Sequence, residues 1–183
     1  MRKYKCFIES EFVFGEYKLV PIRYEDRFEI MKWRNEQIYH LRQPKPLTEV
    51  DQEFYFRNVI SGIFEQEKPS QILFSFLKSD KCIGYGGLVH INWIDKNAEI
   101  SFIMDTRLES TFFHNYWSIY LKLIERLAFQ TLFFHKLFVF AFDLRPHLYD
   151  VLICNNYSLE ARLKEHCNYN DKYVDVIIHS KFS

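Results

Sequence analysis

Residues 82–105 read CIGYGGLVHINWIDKNAEISFIMD. Gly84, Gly86 and Gly87 fall within four positions, in a chain of five glycines, and no glycine follows as far as Ser183. The two halves of the stretch are apolar and rich in β-branched residues. With Trp93-Ile94-Asp95-Lys96 between them, they predict antiparallel strands over 82–91 and 97–104. The cluster lacks the spacing of a phosphate loop, and a strand rather than a helix follows it. Glycine inside a strand marks a bend or the close approach of another backbone.

On the N-terminal side, QILFSFLK (71–78) and the turn Ser79-Asp80-Lys81 complete a three-strand meander. A first strand is expected at 17–23 and a short helix at 25–37. Pro44 and Pro46 make the next stretch a loop. Thr48 with Asp51 three residues on is a capping-box start for a second helix. On the C-terminal side, Phe113, Tyr116, Tyr120, Leu123, Ile124 and Leu127 recur at helical spacing and predict a long amphipathic helix over 111–131. KLFVFAFD (136–143) is short and apolar enough for a buried strand. Pro146 opens a helix reaching about Asn155. Strands near 160–168 and 173–181 flank a turn at Asn170-Asp171-Lys172. The order β-α-α-β-β-β-α-β-α-β-β describes a mixed α/β architecture.

Composition narrows the function. At 183 residues, with no linker or repeat, the chain is expected to be one domain, able to bury roughly 70% of its unfolded surface. The 24 basic and 24 acidic residues cancel, which argues against a general nucleic-acid binder. The 19 Phe and 12 Tyr point to a large aromatic core. Cys6, Cys82, Cys154 and Cys167 form no C-x-x-C pair, so neither a disulfide framework nor a zinc site is expected, and the cytoplasm is the default compartment. No run approaches the ~20 apolar residues of a membrane span. Glu9, Glu11 and Glu16 interrupt the stretch that would follow a signal-like basic start.

The element order resembles the GNAT superfamily of N-acetyltransferases across residues 17–181. The local text that carries this is WRNE at 33–36, CIGYGGLVHIN and NAEISFIMD in the central strands, and EARLKEH followed by YVDVIIHS near the C-terminus. The text is most similar to the branch of ribosomal-protein N-terminal and amino-sugar acetyltransferases. The resemblance implies one domain over 1–183, with residues 1–16 as an N-terminal extension. It implies a mostly antiparallel sheet of about seven strands, splayed between the fourth and fifth and flanked by about four helices. The implied activity is direct transfer of acetyl from acetyl-CoA, as cosubstrate, to the primary amine of a small molecule. A nucleotide-linked amino sugar is favoured, no metal is required, and neither nucleic acid nor membrane is a partner. A homodimer is compatible with this reading.

The resemblance also implies roles. The splayed strand would be 97–105, with pantetheine pairing to backbone at Phe102, Ile103 and Met104. Glu99 is the first choice of base, acting directly or through water, because family members often have a glutamate at this strand's start; partial burial would raise its pKa toward neutrality. His90, on the adjacent strand, is a second proton-transfer candidate. Tyr149 is the candidate acid for the leaving thiolate, one helical turn before Leu152, where the family spacing falls. Arg107 supplies a cation for the diphosphate, and Ser110 or Thr111 caps the long helix. The family's glycine-rich phosphate loop is absent here, since 105–112 contains no glycine. Trp33, Arg34, Asn35, His40 and Arg42 form the expected acceptor site. The glycine cluster is expected to leave room for the acyl group or the amine. The alternative is a non-catalytic relative that keeps the fold for binding or dimerisation.

Overall fold

The computed structural model describes residues 2–183. An eight-stranded sheet runs in the order β1-β2-β3-β4-β5-β6-β8-β7. Its strands are β1 (Phe12–Phe14), β2 (Tyr17–Pro21), β3 (Ile72–Lys78), β4 (Lys81–Asn92), β5 (Asn97–Met104), β6 (Lys136–Phe142), β7 (Ser158–Tyr169) and β8 (Lys172–Phe182). Every pairing is antiparallel except that of β5 with β6. The predicted strands are all present, and β1 is an addition. Ser79 and Asp80, and likewise Asn170 and Asp171, take positive φ at the turns the sequence marked.

The helices follow local rules. Helix α1 (Arg27–Glu36) buries Ile30 and Trp33. Helix α2 (Glu49–Phe54) opens with the reciprocal Thr48–Asp51 capping box, then runs through a π-helical turn, Tyr55–Ile60, into a last turn α3 (Ser61–Ile63). Pro146 begins α5 (Pro146–Cys154). Helix α4 spans Thr106–Glu125 and buries Phe113, Tyr116, Trp117, Tyr120 and Ile124 along one stripe. It therefore starts at Thr106, not at 111. Its N-cap is Asp105, whose side chain accepts from the Arg107 backbone N–H. This corrects the capping role given to Ser110 and Thr111, both exposed inside the helix. A polar first turn carries no apolar period, which hid the start.

Strand alternation separates the two faces. Phe74, Phe76 and Phe102 face α4, where Phe102 stacks on Tyr120 with ring centroids 4.0 Å apart. Ser75, Tyr85 and Ile103 face α1, where Tyr85 accepts from Arg34 and Ser75 donates to Asp26. Residues expected as an extension belong to the core. Tyr4, Phe7 and Phe12 surround Phe74, and the Tyr4 hydroxyl both donates to the Leu73 carbonyl and accepts from its N–H. No helix among the described residues is long and apolar enough to cross a membrane.

Candidate active site

Strands β5 and β6 pair only at Asn97–Lys136, Ala98–Leu137 and Glu99–Phe138. Beyond Glu99 they part, leaving the β5 edge from Ile100 to Ile103 facing Val139 to Phe142 across a cavity of about 640 Å³. Backbone polar groups on such an edge need partners, so the gap suits an extended ligand that pairs like a strand. Phe102 and Ile103 lie on its wall, as expected. Met104 lies past it, with its carbonyl accepting from the buried Gln37 amide at 2.8 Å, so of the three backbone positions it is the one withdrawn.

Glu99 stands where the strands separate and is 5% exposed. One carboxylate oxygen accepts from Arg42, and the other lies 3.8 Å from His90 Nε2. Burial raises its pKa, against the opposing pull of Arg42 and His90. Arg42 also stacks over the Phe140 ring at 4.7 Å. His40 and Arg145 share the same cavity. Arg145 donates from Nη1 to His40 Nε2 at 2.9 Å and from Nη2 to Glu109 at 2.9 Å. Burial, together with the Arg145 charge, lowers His40 to about 3 and keeps its ring neutral. Arg34 donates to the Tyr85 hydroxyl at 2.6 Å and to Gln43 at 2.9 Å.

Four expectations need correction. Trp33 is 1% exposed and belongs to the core, because its face of α1 turns inward to the sheet. Asn35 does not line the cavity. It braces the proline loop, donating to the Leu47 carbonyl and accepting from Gln43 and from the Leu47 N–H. Tyr149 also lies off the cavity, donating to Asp143 at 2.9 Å and stacking on His179. It is the preceding residue, Leu148, that reaches the wall. The glycines are not on the wall either. A Cβ at Gly87 would stand 1.8 Å from the Ile72 carbonyl oxygen, so that space already holds the neighbouring strand.

The expected diphosphate end is built differently from a glycine loop. Asp105 caps α4, and Arg107 folds back onto the same carboxylate, with Nη2 at 2.6 Å from Oδ2. Burial alone would raise the Asp105 pKa, but Arg107 and its backbone N–H outweigh that and hold it below the ordinary value. A helix N-terminus attracts anions, and here it is already met by an internal one. The splay thus fits the pantetheine part of acetyl-CoA, while the phosphate end has no glycine and its helix start already faces the Asp105 carboxylate. Sequence reasoning missed Gln37, Glu109 and Arg145. Arg145, next to Pro146 at a helix start, carries no local sign of its long-range partner His40. Among the described residues, no group of three or more His, Cys, Asp or Glu is placed to hold a metal.

Comparison with known proteins agrees with this geometry. The sequence pattern of the acetyltransferase (GNAT) domain matches residues 19–178. Spermidine N-acetyltransferase from Vibrio cholerae, solved in complex with CoA and spermine, superposes with a TM-score of 0.81 at 16% identity, over 92% of this chain and 96% of that one. A dodecameric structure of the Vibrio cholerae enzyme in an intermediate state gives 0.75 at 17% identity, over 92% and 95%. Among proteins with curated functions, none matches the sequence. At such identities the superpositions speak for the fold, and it is the domain match over most of the chain that settles kinship. The chain belongs to the acetyltransferase (GNAT) domain family, the acyl-CoA-dependent N-acetyltransferases that use acetyl-CoA as cosubstrate.

Proposed function

We propose that this chain, as a single cytoplasmic domain over 1–183, acetylates the primary amine of a small acceptor that carries an acidic group, with a phosphorylated or nucleotide-linked amino sugar favoured. The observation that carries the reading is the buried Glu99 at the point where β5 and β6 part. Acetyl-CoA, when bound, supplies the thioester carbonyl that a neutral amine attacks. Phe102 and Ile103 offer backbone on the splayed edge to its pantetheine arm, and Arg107, in the first turn of α4, is the cation for its diphosphate. Glu99 takes the ammonium proton, and Arg42 fixes the carboxylate's orientation. Tyr149, bonded to Asp143 and off the cavity, has no part in this scheme; as the amide bond forms and the carbon–sulfur bond breaks, the nitrogen's second proton goes to the departing thiolate, which leaves as free CoA.

The cavity's charge supports the choice of acceptor. Arg34, Arg42 and Arg145 line it, with Glu99 as the sole acidic lining residue among those described. Arginine forks suit phosphate or carboxylate, whereas a polyamine would meet like charge. The spermine-bound relative is therefore a guide to the fold more than to the substrate. The reading also agrees with the amino-sugar branch suggested by the sequence, and a homodimer is its expected assembly. The test is release of free CoA from acetyl-CoA with glucosamine 6-phosphate, a nucleotide-linked amino sugar, spermidine and a peptide N-terminus offered in parallel. Turnover with the phosphorylated acceptors ahead of spermidine is expected.

One observation favours a second reading, a fold retained for binding alone, namely the Asp105 carboxylate standing where a diphosphate would meet α4. Thermal unfolding with acetyl-CoA separates the two. Ligand at 100 times its dissociation constant adds about 2.7 kcal/mol of stability. No shift at millimolar acetyl-CoA, together with no CoA release, rejects the enzyme.

A further inference from the structure

His90 lies inside β4 with φ +48°, in the left-handed region that L-residues rarely adopt. The register explains why. Between the pairs Val89–Glu99 and Asn92–Asn97, β4 carries two residues where β5 carries one, which is a β-bulge with His90 as its first residue. In an unbroken strand, the residue after Val89 would point away from the face that Val89 shares with Glu99. The left-handed turn re-aims it, bringing Nε2 to 3.8 Å from the Glu99 oxygen that Arg42 does not hold. Strained backbone of this kind concentrates at functional sites.

A buried base must also lose the proton it gains. The Glu99 side chain is 7% exposed and that of His90 is 63% exposed, so the pair spans from the buried site to solvent. The other charged or titratable groups facing the cavity come from α1, the segment after it and the start of α5. Arg34, Arg42 and Arg145 remain protonated, and His40 is held neutral against Arg145. None of them offers Glu99 an acceptor, and His90 is the side chain within reach of its other oxygen.

We propose that His90 is the proton outlet of Glu99. Glu99 takes one proton from the acceptor's ammonium group, leaving a neutral amine. The carboxylic acid passes that proton to neutral His90 Nε2, across one bridging water or after a small side-chain turn. The imidazolium then gives up a proton to solvent, and the carboxylate is restored with no change of oxidation state.

This rests on Glu99 as the base, and the experiment separates the two claims. The variant is His90→Asn, because asparagine tolerates the left-handed conformation and keeps the bulge. Its kcat/KM is expected to fall about 10-fold or more at pH 7, toward the ~10²–10⁴ that a positioned proton-transfer group contributes. The KM for acetyl-CoA should be unchanged, the acidic limb of the pH profile altered, and millimolar imidazole should restore turnover. A wild-type rate and profile in His90→Asn would overturn the outlet. A loss in Glu99→Gln alongside it would leave the base standing, and a wild-type Glu99→Gln would remove the base as well.

Discussion

Tyr120 on α4 donates its hydroxyl to the Ser101 carbonyl at 2.8 Å, directly over Gly86. A Cβ at Gly86 would stand 2.0 Å from that carbonyl oxygen and 2.7 Å from that hydroxyl. The absent side chain therefore lets α4 pin β5 beside the splay. Gly86→Ala should destabilise the fold by about 3 kcal/mol, the upper range for overpacking a core. Tyr120→Phe, losing only the hydroxyl, should cost about 1 kcal/mol. Urea unfolding of both variants measures this, and an alanine variant as stable as the parent would contradict the close approach.

Glu99→Gln should lower kcat about 10²-fold or more, and its effect on stability should depend on pH. Burial raises the Glu99 pKa, so the native state keeps this proton to higher pH than the unfolded chain does. The wild type therefore loses stability as pH rises through the region above the ordinary carboxylate value, and glutamine does not. The stability of Glu99→Gln relative to the parent should climb as pH rises above the ordinary carboxylate value of 4.5. Melting curves across that range test it, and a flat difference would mean that the carboxyl ionises as freely as in water.

His40 gives the opposite sign. Burial and the Arg145 charge depress it to about 3, so below its ordinary value of 6.5 the unfolded chain binds a proton that the native state refuses. Stability from this group is complete above pH 6.5 and drains away as pH falls toward 3. His40→Asn should flatten the acid side of the melting-temperature profile between pH 6.5 and pH 4. An unchanged slope there would show that His40 is not the group responsible.

In the proposed scheme, Asp105 and Arg107 would meet the cofactor's phosphates. Asp105→Ser keeps a capping oxygen but removes the negative charge from the start of α4 and frees Arg107. A charge at a helix terminus is worth about 0.3–1 kcal/mol, so CoA should bind roughly two- to five-fold tighter at low salt. Calorimetric titration reads this directly. Weaker binding in Asp105→Ser would place the diphosphate elsewhere.

Local chemistry was enough to read the Thr48–Asp51 box, Pro146 at a helix start, the Asn170-Asp171 turn and the strands around the glycines, because each depends on residues a few positions apart. The start of α4 was hidden, since its first turn is polar and its cap, Asp105, looks like the end of the preceding strand. Glu99 was picked out through the family resemblance, and its burial beside the splay came into view only in the fold. Trp33 and Tyr149 were misassigned because an aromatic on a helix has the same sequence appearance whether it faces a core or a cleft.

The sequence by itself determined the order of strands and helices, the glycine-dependent packing of β3, β4 and β5, and the family. All of these follow from periodicity, turn chemistry and local text. Only the tertiary structure decided which charges meet. Arg42 reaches Glu99 and Arg145 reaches His40 across long separations in the chain. The bulge that turns His90 toward Glu99 exists only once two strands are paired. Side-chain identity sets what a residue is able to do, while burial and pairing set its charge, and those arise from contacts that no short stretch of sequence contains.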